Sequence, residues 1–382
     1  MKHPKTLLRF GAVAAAAALV LSACGSTEDT TESAGDGDAK AACDLKIGYM
    51  GPLTGDYANL GANMLGGVKL ALDEYNAAHA DCKVTLEEYD SQGDPEKATP
   101  LATQVVQDAK VIGLVGPSFS GETEATGPTF AEAGLVTVSP SATNPDLSSN
   151  GWDTFHRVLG NDATQAPAAA KFLTGTVGGK KIFVVDDASE YGKGLADGVA
   201  SDLGDAVIDR DTVQQKQTDF SATVTKVKAS GADSLFYGGY YAEAGLLAKQ
   251  LKAGGWEGTF VSGDGALDPG FVEAAGAAGS EGAYLTCPCA PSPEDFTAKY
   301  NALNSADPGT YSTEAYDSAN VLLQGIADGN ADRAKLLAWV NSYDADALTK
   351  HIKFDETGEV SGVAVYAYPV TGGKIELGQI IE

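Results

Sequence analysis

From Leu45 onward the chain repeats one pattern: a short apolar run, then a longer segment whose apolar residues return at helical spacing. LKIGYM is followed by GANMLGGVKLALDEYNAA, where Met64 or Leu65, Val68, Leu72 and Tyr75 fall on one helical face. KVTLEEYD leads to Asp94-Pro95, an N-cap and first-turn proline that open EKATPLATQVVQDA. VIGLV precedes a helix through TEATGPTFAEAG, which Pro128 is expected to kink, and then the strand LVTVS. The pattern restarts with DATQAPAAAKFLTGTV and KKIFVVD and runs on through GKGLADGVASDL, AVIDR, FSATVTKVKASG, SLFYGGY and EAGLLAKQLKAGG. Runs such as IFVVD lack polar alternation, as strands covered on both faces do. The expectation is an α/β protein whose sheets are doubly wound and mostly parallel. The 340 residues after position 42 of the 382 exceed one ordinary core, so two lobes are expected. In such sheets a ligand binds beyond the carboxyl ends of the strands.

The first 24 residues read as an export signal. Lys2, Lys5 and Arg9 precede the apolar core AVAAAAALVLSA, which is too short to span a bilayer, since that takes about 20 apolar residues. The core ends in Leu21-Ser22-Ala23-Cys24, which resembles the lipobox of bacterial lipoproteins; the resemblance implies lipidation of Cys24. Residues 25–42, GSTEDTTESAGDGDAKAA, hold almost nothing that can be buried and read as an acidic tether. Removing the signal's three positive charges takes the net charge from −26 to −29, which repels nucleic acid and anionic lipid over any long approach. The expected place is the outer face of the cell membrane, held by the lipid on Cys24.

Four cysteines follow the anchor in what is then an oxidising compartment. Cys43 and Cys82 each precede a strand, and a disulfide joins them if those strands lie parallel and adjacent. Cys287-Pro288-Cys289 either closes a small ring on itself or holds two free thiols. It is not C-x-x-C, and no second cysteine or histidine pair completes a zinc set, so no metal and no cofactor is expected.

The stretch VGPSFSGETEA, residues 115–125, admits two uses. A serine on a strand-to-helix elbow can be a hydrolase nucleophile, or the helix start can present hydroxyl and N–H donors to an anion. Neither Ser118 nor Ser120 is central in G-x-S-x-G, and a nucleophile needs a base. His79, His156 and His351 are the only histidines beyond the signal, and none lies in a segment like a catalytic loop. Asp186-Asp187 reads as a solvated strand end. The anion cradle is the favoured use, and no enzymatic activity is expected.

Five stretches, in order, resemble the branched-chain amino acid-binding family, the type I solute-binding proteins of ABC importers. They are IGYMGPLTGDYANLG, VGPSFSGETEATGPTFAEAGLVTVSPSATNPDLS, DDASEYGKGLADG, FYGGYYAEAGLLAKQ and VSGDGALDPGFVEAAG. The resemblance implies the two-lobe type I fold with a three-stranded hinge. It implies lobe boundaries near 44–160 plus 290–355, and 161–289 plus 356–382. It assigns the ligand carboxylate to Ser120 and Thr143. Ser141, with Ala142 beside it, turns backbone polarity toward the ammonium group, which Asp264 meets. Tyr191 and Tyr240 close from the second lobe, and Ser118, Phe119, Leu60 and Tyr311 meet the ligand's side chain. Three positions depart from the family's pattern: Leu60 for an aromatic residue, Asp264 for glutamate, and Ser141 for alanine. These bear on pocket volume and polarity rather than on head-group recognition. The implied partners are an amino acid and a membrane permease, with the chain itself a monomer. Two other readings keep the same fold: a ligand sensor for a signalling partner, and a carrier of an amide, urea or aromatic acid.

Overall fold

The computed structural model describes residues 44–381. The signal, Cys24, the tether and Cys43 lie outside the described residues. The chain alternates as read from the sequence: β1 (Leu45–Gly51), α1 (Ala58–Ala78), β2 (Val84–Asp90), α2 (Pro95–Gln107), β3 (Val111–Val115), α3 (Ser120–Glu132), β4 (Val136–Ser139) and β5 (Phe155–Arg157). These five strands form one parallel sheet in the order β2-β1-β3-β4-β5. The pattern is then repeated by α4 (Asp162–Gly175), β6 (Ile182–Asp186), α5 (Glu190–Leu203), β7 (Val207–Thr212), α6 (Ser221–Ser230), β8 (Ser234–Gly238), α7 (Tyr241–Ala253), β9 (Thr259–Ser262), α8 (Pro269–Ser280) and β10 (Tyr284–Cys287). Their strands pair in parallel as β7-β6-β8-β9-β10, the same winding as the first sheet.

The chain then returns to the first half. α9 (Glu294–Asn304), α10 (Ser312–Ala327) and α11 (Arg333–Asn341) follow β10. α10 lies so close to α1 that a Cβ on Gly67 would fall 2.1 Å from the Ser312 carbonyl oxygen. Leu322 and Leu336 pack against Gly113 of β3, where a Cβ would fall 2.9 Å from Leu322 and 3.2 Å from Leu336. The hairpin β11 (Asp344–Asp346) and β12 (His351–Lys353) follows. The chain crosses once more, and β13 (Tyr366–Thr371) joins the second sheet antiparallel to β10, with β14 (Lys374–Ile375) and β15 (Gln379–Ile380) paired to it. Three stretches therefore pass between the sheets: residues 158–161, 288–293 and 354–365.

β3, β6 and β8 are buried along their whole length, as their unbroken apolar sequences require. Each such Val, Leu, Ile or Phe contributes about 1.5–3 kcal/mol relative to exposure. α3 starts at Ser120 and runs as one continuous helix through Pro128. The proline and Glu124, whose carbonyl loses its donor, both face solvent, where water can replace the missing bond. β1 and β2 are parallel neighbours with Leu45 opposite Val84, and Cys82 is disulfide-bonded. Cys287 and Cys289 bond to each other, with Cα atoms 5.1 Å apart, in the second crossing. No helix among the described residues is long and apolar enough to cross a membrane.

Candidate functional site

The carboxyl ends of both sheets face one cleft. Leu60, Met64, Phe119, Ser120, Ser141, Tyr191, Tyr240, Asp264, Gly265 and Tyr311 line a cavity there. It encloses about 10 Å³, room for about one water molecule, so the walls are in near contact. Eight of the eleven ligand residues expected from the sequence are in this wall.

The opening serines part company. Ser118 is buried, and its hydroxyl donates to the Met50 carbonyl at 3.0 Å and lies 3.2 Å from the Tyr49 hydroxyl, away from the cavity. Ser120 is the first residue of α3 and faces the cavity; its oxygen accepts the Asn144 N–H at 3.2 Å, which leaves its proton to give. Glu122 closes the same helix start by accepting the Phe119 N–H at 2.8 Å. Burial pushes its carboxyl up to about 7, although its hydrogen bonds pull the other way.

The turn after β4 supplies the second group of donors. Thr143 is wholly buried, and its hydroxyl makes no hydrogen bond of good geometry among the described residues, with the Asp162 carboxyl as its polar neighbour. Such a group is costly unless something comes to meet it. Neither Thr143 nor Ala142 is part of the cavity wall. The Ala142 carbonyl faces away from the cleft and accepts from Arg157 at 2.6 Å. Ser141 does line the cavity, while its hydroxyl is spent on the Ser118 carbonyl at 2.5 Å.

The opposite wall is acidic. Asp264 follows β9 and is 2% exposed. Its two oxygens accept from the hydroxyls of Tyr191 at 2.9 Å and Tyr311 at 2.6 Å. Tyr311 adopts a left-handed conformation, φ +66°, at the start of α10, a strained backbone for so bulky a residue. The strain brings a first-half hydroxyl onto a second-half carboxylate. Burial raises the Asp264 carboxyl above its ordinary range against the pull of these two phenols. Asp162, at the start of α4, is raised well above its own range, first by burial and then by the charge of Asp264. Both Asp162 oxygens and the Gln165 carbonyl oxygen are buried without a hydrogen bond of good geometry.

Aromatic rings seal the cleft. Tyr240 stacks on Phe119 with centroids 4.4 Å apart and lies 4.8 Å from Tyr57 and 5.1 Å from Tyr191. Tyr57 donates to Glu243 at 3.0 Å, and Asn59 to Asp268 at 2.8 Å, each from the first half to the second. Asp186 and Asp187 are buried rather than solvated, 4% and 1% exposed. Their oxygens accept the N–H groups of the turn that follows, at Ala188 and Ser189. Burial pushes Asp187 up to about 7.

Met64, Gly265, Tyr57 and Asp162 were not expected from the sequence. Tyr57 stands three residues before Leu60 in a segment already singled out, but loop residues lack a period that shows their direction. Asp162 follows Asn161, the N-cap of α4, and reads locally as first-turn helix chemistry. The three histidines among the described residues are occupied elsewhere. His79 binds the Tyr75 carbonyl, His156 binds Asn341, and His351 sits between Asp344 and Asp346 on the surface. Among the described residues, no histidine is bonded to Ser118 or Ser120.

Two sheets of like winding that turn their carboxyl ends onto one polar cleft are also the arrangement in known proteins. The profile of the periplasmic binding protein family matches residues 44–374. The chain belongs to that family. It is 31% identical over 345 residues to the Leu/Ile/Val-binding protein BraC3 of Rhizobium johnstonii, covering 88% of this chain and 94% of that one. It is 31% identical over 338 residues to the leucine-, isoleucine-, valine-, threonine- and alanine-binding protein of Pseudomonas aeruginosa, covering 86% and 90%. The crystal structure of the branched-chain amino acid transporter substrate binding protein LivJ of Streptococcus pneumoniae, in complex with isoleucine, superposes with a TM-score of 0.82. That match has 27% identity and covers 88% of this chain and 99% of the other. The family is one of solute-binding proteins rather than an enzyme class, and its members act outside the cytoplasm.

Proposed function

We propose that this periplasmic binding protein is the solute-binding component of an ABC importer and carries a neutral amino acid, held by its head group between two closing lobes. The observation that carries the reading is the pairing of opposite chemistries across one cavity. Ser120 offers a hydroxyl and a helix N-terminus from one side. Asp264 offers a buried carboxylate from the other, and no Lys, Arg or His is bonded to it among the described residues. A zwitterion meets both needs at once. Its carboxylate takes the hydroxyls of Ser120 and Thr143, and its ammonium takes Asp264. Charge-assisted bonds of this kind are stronger than neutral ones.

The lobes are residues 44–160 with 290–355, and 161–289 with 356–382, a division supported by membership of the two sheets. The three crossings form the hinge. An amino acid is far larger than the 10 Å³ between the walls, so entry requires the bonds from Tyr311, Tyr57 and Asn59 to the second lobe to open. Ligand docks on the first lobe and Tyr191, Tyr240 and Asp264 arrive with the second. The closed form is what the permease receives. Leu60 and Met64 give the side-chain end of the cavity its apolar character. The protein works as a monomer without cofactor or catalysis, and the lipid on Cys24 keeps it at the outer face of the membrane.

The test is isothermal titration of the refolded, ligand-stripped protein with isoleucine, leucine, valine, threonine, alanine, benzoate and urea. One-to-one binding of a neutral amino acid supports the reading. Heat from benzoate or urea alone removes the ammonium role of Asp264.

A further inference from the structure

Arg157 takes no part in the cavity wall, yet it is a wholly buried cation at the end of β5. A buried guanidinium is costly unless all its donors are met. Here they are, and by groups with a common geometry. Nε reaches both oxygens of Glu359 at 3.0 and 2.9 Å, and Nη2 bonds Glu359 again and the Ser148 hydroxyl at 3.1 Å. Nη1 reaches the carbonyls of Ala142 at 2.6 Å and Asn144 at 2.9 Å, the two residues that flank Thr143.

Glu359 lies in the third crossing and Arg157 immediately before the first. Their backbones are also joined, because the Arg157 N–H donates to the Gly358 carbonyl at 3.0 Å. Gly358 has φ +78°, and a Cβ there would lie 2.0 Å from the Phe155 carbonyl oxygen, so the crossing is seated tightly on β5. The same carboxylate accepts from Asn161 at 3.1 Å, and Asn161 caps α4, the helix that carries Asp162 and Gln165. Asn144 in turn donates to the Glu190 carbonyl of the second half at 3.0 Å.

We propose that Arg157 and Glu359 form a positioning pair that transmits the hinge setting to the ligand turn, fixing Thr143 and the Asp162 helix in register as the lobes close. This rests on the cleft being the ligand site. The pair touches no ligand. It acts through the two carbonyls on either side of Thr143 and through the cap of α4, so two walls of the site answer to one carboxylate in the hinge.

The experiment uses the full mature chain carrying fluorophores on Glu132→Cys and Asp205→Cys, exposed positions on opposite halves. It measures the ligand-free distance distribution, the Kd for isoleucine and Tm. Glu359→Gln should weaken binding roughly tenfold or more, the scale of one charge-assisted bond lost at a positioned donor, and broaden the ligand-free distribution. Glu359→Asp should recover part of both. Arg157→Lys keeps the charge but loses the two-carbonyl fork, so it should lose affinity while keeping the wild-type distribution. A lower Tm with wild-type Kd and wild-type distribution in Glu359→Gln and Arg157→Lys makes the pair a structural ion pair only and overturns the proposal. Failure of the wild-type chain to bind isoleucine counts against the amino acid reading instead, and the ligand-free distributions still decide the role of the pair.

Discussion

The wall that the first sheet presents to the cavity and the wall from the second sheet come from the same strand order and carry opposite chemistry. The first offers hydroxyls and a helix N-terminus: Ser120, Thr143 behind it, and Tyr311 from the returning helices. The second offers acid: Asp264 in the wall, Asp162 beside it, and Asp187 and Glu243 under the aromatic seal. A repeated architecture thus makes an asymmetric site. Winding fixes where a ligand lies, and the residues on a few strand-to-helix turns fix which end of it faces which sheet.

The largest effect is expected on the acidic side. Asp264→Asn removes the charge and leaves one oxygen to accept from a tyrosine hydroxyl where the carboxylate had two, and should cost roughly 100-fold in affinity for an amino acid, about 2.7 kcal/mol. Titration calorimetry reads this directly, and an unchanged Kd takes Asp264 out of the site. Ser120→Ala removes one hydroxyl from the opposite wall and should cost roughly tenfold. If the order of these two effects is reversed, the assignment of charge to the second wall is wrong.

The third prediction concerns protons. Burial holds Asp264 and Asp162 raised, and an ammonium ligand favours their charged forms, so binding should release protons where the free protein keeps them. Binding enthalpies measured in two buffers of different ionisation heat check this, and identical values refute it.

The smallest effect belongs to Glu122, which lies behind the first wall. Its folded pKa, about 7, lies above its ordinary 4.5, so the folded state binds more protons between those values and this residue's contribution to stability falls as pH rises through that window. The difference approaches about 3 kcal/mol above pH 7. Glu122→Gln keeps an acceptor for the Phe119 N–H and cannot ionise. The gap in Tm between it and wild type should widen in the variant's favour from pH 4.5 to 8, and parallel curves would count against the shift.

Much of the architecture was legible because it repeats. Unbroken apolar strands and helical spacing return often enough for both sheets to be read without a structure. The site was legible where a motif sits on a strand-to-helix turn, as at Ser120 and Asp264. It was not legible where direction is set by contacts distant in sequence. Ser118 and Ser120 look alike in the chain, and only the closeness of Met50 and Tyr49 turns one inward to the core. The strained backbone of Tyr311 has no local signature. The partnership of Arg157 with Glu359 spans 202 positions, beyond the reach of any periodicity. Pro128 is carried inside α3 where the carbonyl it orphans, that of Glu124, faces water.

The return of α9–α11 to the first sheet sets a timetable for folding. Leu322 and Leu336 cover Gly113 of β3, so that strand waits some two hundred residues for its apolar cover, while the second sheet's parallel strands are already complete by Cys287. During synthesis or export, the earlier half of the chain is the later one to be finished. Contacts of such long separation are slow to form and leave apolar surface uncovered meanwhile. A chain stalled or cut after Cys287 would therefore present a second sheet lacking only β13–β15 and an N-terminal sheet open on one face.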